Sequence, residues 1–65
     1  MTPEQLYAWC KEHQQELLDA RTAGDANART IISTHDMMVR HPDYIAYAIL
    51  EQAVNERIQR EAVGK

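Results

Sequence analysis

The stretch Thr22–Asn27, which reads TAGDAN, separates two segments that both have the pattern of an amphipathic helix. Gly24 can adopt the left-handed conformation that ends a helix, and Asp25 and Asn27 are both favoured caps for the start of the next one. Because so short a connection joins antiparallel neighbours, the stretch predicts a helical hairpin.

The first helix of the hairpin is predicted over residues 3–22 and the second over residues 26–40. The first begins with Thr2-Pro3-Glu4-Gln5, in which Thr caps, Pro takes the first helical position and Gln can complete a capping box. The second ends before His41, since Pro42 disfavours the helical conformation in the residue that precedes it. Each helix has an apolar stripe at helical spacing. The stripes are Leu6, Trp9, Cys10, Leu17 and Ala20 in the first helix, and Ala28, Ile31, Ile32, Met38 and Val39 in the second.

A third helix is predicted over residues 42–61. The apolar segment Tyr44–Leu50 could also form a strand, because Tyr and Ile favour sheets. It runs without a break into the helix-favouring segment Glu51–Ala62, however, and a lone strand would have no partner. The predicted fold is therefore a single all-α domain over residues 1–65, with an N-terminal antiparallel hairpin and a third helix.

The third helix has apolar positions over more than half of its circumference, so it needs more than one packing partner. The hairpin covers one side, and a second copy of the chain is the simplest cover for the other. This predicts a homodimeric bundle; a monomer with a few exposed apolar residues is the alternative. The residues expected at the dimer interface are Ile45, Tyr47, Ile49, Leu50, Val54 and Ile58.

Three side chains of the hairpin have metal-binding chemistry. Cys10 and His13 are three positions apart, and His35 faces them if the turn centres on Gly24. Two imidazoles and a thiolate can bind zinc. The alternative is a buried Cys10 with histidines at the edge of the core, where their protonation could loosen the fold below about pH 6. We expect no metal and no other cofactor.

The sequence offers no catalytic constellation. Ser33, His35 and Asp36 are close in sequence, but near neighbours on a helix point in different directions and do not converge on a substrate. The only glycines are Gly24 and Gly64, so there is no glycine-rich phosphate loop. We therefore expect the protein not to be an enzyme.

Composition narrows the function further. The 65 residues include 7 Lys and Arg against 10 Asp and Glu, for a net charge of −3, and one Cys. Because acidic side chains outnumber basic ones, we do not expect a surface that binds the phosphates of a nucleic acid. One Cys cannot form an intrachain disulfide. No apolar run approaches the roughly 20 residues of a transmembrane helix, and no leader pattern opens the chain. These features favour a reducing cytoplasm and no membrane.

Chains of this kind usually act by binding. The predicted architecture is similar in size and shape, although not in any residue motif, to small helical-hairpin dimers encoded by plasmids and phages. That likeness implies an accessory or regulatory factor that binds and modulates another protein. Exposed aromatic and basic side chains are the usual anchors of such contacts. The residues expected at the partner surface are Tyr7, Met37, Arg40, His41 and Tyr44.

A nucleic-acid-binding regulator is the alternative function. The corner at His41-Pro42 could imitate a helix-turn-helix, with the third helix as the recognition helix. The start of that helix carries Asp43 and has neither Lys nor Arg, so nucleic acid is the less expected partner.

Overall fold

The computed structural model describes residues 1–63, and these form four helices without a strand. The helices are α1 (Pro3–Glu12), α2 (Gln14–Thr22), α3 (Ala26–Arg40) and α4 (Tyr44–Val63). The all-α class is confirmed. The last two residues of the predicted domain lie outside the described residues.

The turn between α2 and α3 has the conformation that its residues predict. Gly24 has a φ of +92°, in the left-handed region that favours glycine. The Asp25 side chain then caps α3 by accepting a hydrogen bond of 3.0 Å from the Asn27 amide. One residue therefore ends α2, and its neighbour starts α3.

The start of α1 is fixed by a complete capping box. The Gln5 amide donates to the Thr2 hydroxyl oxygen at 3.2 Å, and the Thr2 amide donates to the Gln5 side-chain oxygen at 2.8 Å. These bonds satisfy two backbone donors that the first turn of a helix leaves free.

The helix expected over residues 3–22 is divided at His13. His13 leaves the helical conformation, with φ −103° and ψ 14°. Its ring stacks on Trp9 with centroids 4.1 Å apart, and its Nδ1 lies 2.8 Å from the Trp9 carbonyl oxygen. A carbonyl only accepts, so Nδ1 carries a hydrogen. The carbonyl also accepts from the His13 amide at 3.0 Å, and a side chain that shares a helical acceptor in this way favours a local break.

The buried core is built from the predicted stripes and from one side of α4. It contains Leu6, Cys10 and Leu17 of α1 and α2, Ala28, Ile31 and Met38 of α3, and Ala46, Leu50, Ala53 and Val54 of α4. Val39 was expected in the inward stripe but is 64% exposed. It lies instead on the wall of an open groove between α3 and α1–α2.

An ion cluster joins the turn at Gly24 to the C-terminal half of α4. Arg57 is only 6% exposed, and its Nη1 donates to the Asp25 carboxylate at 2.9 Å. Arg60 donates to the same carboxylate oxygen at 3.0 Å. One turn away, the Asn27 side-chain amide donates to the Ala53 carbonyl at 2.9 Å. The cap of α3 is thus also an anchor for α4.

The environment of Asp25 favours its charged form. The hydrogen bond from Arg57 lowers the pKa of this carboxyl, and the backbone amides of Asn27 and Ala28 and the charge of Arg60 lower it further. These effects outweigh partial burial, which acts in the opposite direction. The ion pair therefore contributes most when the carboxyl is ionised.

Replacing Asp25 with Ala should lower the free energy of unfolding by about 2–4 kcal/mol, because it removes a helix cap and leaves Arg57 buried without its main partner. Urea denaturation followed by circular dichroism measures the change. The matched control is Asp36→Ala, which breaks an exposed pair with Arg40 at 3.5 Å and should change stability by less than about 0.5 kcal/mol. Equal effects of the two substitutions would contradict the role given to Asp25.

Stability should also depend on the ionisation of Asp25. Its folded-state pKa lies below its ordinary value of 3.8, so its contribution is present above that value and is lost as the pH falls through the folded-state pKa. The wild-type free energy of unfolding should therefore decline on acidification below about pH 5. Asp25→Asn keeps a favoured cap but cannot ionise, so it should be less stable at pH 7 and decline less steeply. Parallel declines in urea titrations from pH 7 to pH 2.5 would count against this ion pair.

Candidate protein-binding site

The three tyrosines of the chain meet in one groove at the end of the bundle where α1 and α4 begin. We call it the tyrosine groove. Its volume is about 560 Å³, and it is lined by Pro3, Tyr7, Met38, Pro42, Asp43, Tyr44 and Tyr47. It also contains both prolines of the chain, so its wall is aromatic and conformationally stiff.

Each wall of the tyrosine groove follows from local sequence signals. Tyr44 and Tyr47 are three positions apart, which places them on the same side of α4. The capping box brings Pro3 to the start of α1, and Tyr7 follows one turn later. Pro42 forms the corner between α3 and α4, while the nearly buried Met38 supplies the floor.

The electrostatics of the groove are negative. Within the part of the chain that the structure describes, Asp43 is the one charged side chain in its lining. The hydroxyl of Tyr47 donates to the Met1 carbonyl and lies 3.3 Å from a carboxylate oxygen of Glu51. Partial burial, and then the negative charges of Glu51 and Glu4, raise the pKa of Tyr47. The Glu51 carboxylate is itself paired with the Met1 ammonium at 2.9 Å.

The residues predicted for partner binding divide into two groups. Tyr7 and Tyr44 are brought together in the tyrosine groove, and Tyr44 is 91% exposed. Met37, Arg40 and His41 are exposed near the same corner but do not line the groove. Arg40 is in an exposed ion pair with Asp36.

The residues predicted for a dimer interface lie in three different environments. Leu50 and Val54 have no exposed surface, so within one chain they belong to the core. Tyr47 lines the tyrosine groove. Ile45 and Ile49, which we call the isoleucine edge, are 70% and 45% exposed and one turn apart. Ile58 is also exposed, but helical spacing places it roughly 140° from Ile45 around α4.

Sequence reasoning missed most of the tyrosine groove. It assigned Tyr47 to a dimer interface, and it gave Pro3, Met38 and Asp43 other roles: a helix start, a core stripe and the start of a candidate recognition helix. The spacing of Tyr44 and Tyr47 was the available signal, because residues three apart on a helix form one surface. Nothing in the sequence shows that the start of α1 lies beside them.

A second groove of about 610 Å³ runs between α3 and α1–α2. Its apolar walls include Leu18, Ile32 and Val39, and its polar side chains are Lys11, Gln14, His35 and Asp36. This groove is lined by both a positive and a negative side chain, Lys11 and Asp36, whereas the charge that lines the tyrosine groove is the negative charge of Asp43.

The three candidate metal ligands, Cys10, His13 and His35, are not arranged around a common point. His13 stacks on Trp9, whereas the His35 ring packs edge-on against Tyr7 at 5.5 Å. Burial raises the pKa of the Cys10 thiol to about 11, so at neutral pH it is not a thiolate. Within residues 1–63, no group of three or more His, Cys, Asp or Glu side chains is arranged to hold a metal ion.

Comparison with protein-family models, with curated proteins and with solved structures finds no match to this chain. The site must therefore be interpreted from its own chemistry. Of the helices in residues 1–63, none combines the length and apolar composition needed to cross a bilayer.

Proposed function

We propose that this protein is a non-enzymatic helical homodimer of the cytoplasm that binds and modulates another protein, as an accessory factor of the kind that plasmids and phages encode. One observation carries the proposal: α4 begins with Tyr44, which is 91% exposed and lines the tyrosine groove. Exposed aromatic and aliphatic side chains that rim a groove are typical of protein-binding surfaces.

The distribution of positive charge supports a protein partner over a nucleic acid. Residues 44–56 of α4 include neither Lys nor Arg. The first base of α4, Arg57, is buried in ion pairs, and Arg60 is bound to Asp25. A recognition helix that binds phosphates or bases in a groove needs accessible positive side chains at its contact end.

The isoleucine edge is the surface we propose for dimer formation. Ile45 and Ile49 are exposed apolar residues one turn apart on one side of α4, and neither lines the tyrosine groove. A symmetric dimer would pack this edge against its own copy. The proposal keeps Ile45 and Ile49 from the predicted interface and leaves Leu50 and Val54 to the core.

Light scattering over a concentration series tests the dimer. We expect a mass near twice 7.5 kDa, and we expect the double substitution Ile45→Asp, Ile49→Asp to weaken association by about a hundredfold or more while the helical content is kept. Asn55→Asp adds a charge to the same helix at an exposed position and is the matched control. A 7.5 kDa species at every concentration would refute the dimer.

Affinity capture from the native host tests the partner. We expect the tagged wild-type protein to recover one protein in stoichiometric amount, and Tyr44→Ala to recover less than a tenth of it, as for an interface anchor. Val63→Ala, an exposed apolar substitution at the opposite end of α4, is the control. Salt-sensitive retention on DNA or heparin without a protein partner would instead favour the nucleic-acid alternative.

A further inference from the structure

We propose that the tyrosine groove binds a proline-rich segment of the partner protein in the polyproline II conformation, with an arginine or lysine of that segment placed beside Asp43. This inference rests on the proposed function, because it names the chemistry of the partner.

The lining has the surfaces that a polyproline II segment needs. Such a segment has no internal hydrogen bonds, so it is recognised by aromatic faces for its rings and by donors for its free carbonyls. Tyr7, Tyr44 and Tyr47 supply three aromatic rings in one groove. Tyr44 is 91% exposed, so its hydroxyl is accessible to a ligand carbonyl.

The size and stiffness of the site favour a ligand that is already ordered. A groove of about 560 Å³ buries only a few residues of a peptide. A segment that must be ordered on binding loses conformational entropy, whereas a polyproline II segment is largely pre-organised and loses less. Pro3 at the start of α1 and Pro42 at the corner each fix one backbone torsion in the wall of the groove.

Charge complementarity identifies the flanking residue of the ligand. Among residues 1–63, Asp43 is the one charged side chain in the lining, while the nearby Glu51 carboxylate is already paired with the Met1 ammonium. Arg40, the nearest base in sequence, is paired with Asp36 at 3.5 Å. A positive side chain of the ligand would therefore meet a carboxylate without competition from the lining.

The occupant is another protein, because a second copy of this chain has no suitable segment. The sequence contains only two prolines, and both already form the wall of the groove. The chain also has a net charge of −3, so a copy would bring negative charge to a negative site.

The probe that tests this proposal is a blocked oligoproline peptide that ends in arginine. Its comparison peptides are the same oligoproline ending in glutamate and an alanine-rich helical peptide with the same arginine. Binding is measured by calorimetry and by amide shifts of the labelled full chain. We expect the arginine peptide to shift the amides around Tyr7 and Tyr44, and to bind about fivefold more tightly than the glutamate peptide, as for one exposed ion pair.

Two variants separate the contribution of the aromatic ring of Tyr44 to peptide binding from that of the charge of Asp43. Tyr44→Ala removes one exposed aromatic ring of the groove without changing the core. It should weaken the binding of the arginine peptide by about tenfold. Asp43→Asn should abolish the preference for arginine over glutamate and leave the contribution of the proline rings intact. Val63→Ala, an exposed apolar substitution at the opposite end of α4, should bind as wild type, and circular dichroism confirms that each variant is folded.

Several results would overturn the proposal. One is that the helical peptide binds as tightly as the oligoproline that ends in arginine. Another is that Tyr44→Ala binds this oligoproline as tightly as the wild type does. A third is that millimolar oligoproline shifts none of the amides of the groove. Competition separates this proposal from the function on which it rests. If a captured partner depends on Tyr44 but is not displaced by the arginine peptide, the ligand chemistry is wrong and the binding function stands. If no partner is captured, the binding function itself fails.

Discussion

The carboxylate of Asp25 links the turn of the hairpin to the C-terminal half of α4. It caps α3, and it also accepts hydrogen bonds from Arg57 and Arg60 of α4. The cluster is not fully satisfied, since the buried Nε of Arg57 lies 3.5 Å from Glu61 without hydrogen-bond geometry. Such clusters add little net stability compared with apolar packing, but losing one partner is costly. We infer that this cluster mainly fixes where α4 lies on the hairpin.

The position of α4 explains why its apolar surface is so wide. Once the C-terminal half is anchored at Asp25, Leu50 and Val54 face the hairpin and fill the core. Tyr47 then lies beside the start of α1, where its hydroxyl donates to the Met1 carbonyl. The isoleucine edge is left on the outside. A single helix therefore serves a core, a groove and an exposed edge, and each requires apolar residues on a different side.

Much of this fold could be predicted from signals between residues that are close in sequence. The features that could not be predicted depend on contacts between residues far apart in sequence. Gly24 and Asp25 act on their immediate neighbours, so the turn follows from the sequence. The ion pair of Asp25 with Arg57 spans 32 positions and depends on the rotation of α4, which no local pattern reveals. The break at His13 arises from a contact with Trp9 four residues earlier, a spacing that an unbroken helix also has. For the site, helical spacing places Tyr44 and Tyr47 on the same side of α4. No local pattern shows that Tyr7 of α1 lies in the same groove.

The allocation of apolar side chains is an independent argument for a binding surface. Three buried positions of α3 and α4 are filled by alanine: Ala28, Ala46 and Ala53. Larger residues, Tyr44 and Ile45, are exposed at the start of α4 in a chain with no Phe and a single Trp. A chain of 65 residues has little core, so stability alone would favour large residues inside and polar ones outside. Tyr44 and Ile45 depart from this rule at the end of the bundle where α4 begins, as expected where a surface is kept apolar for a partner or a second copy.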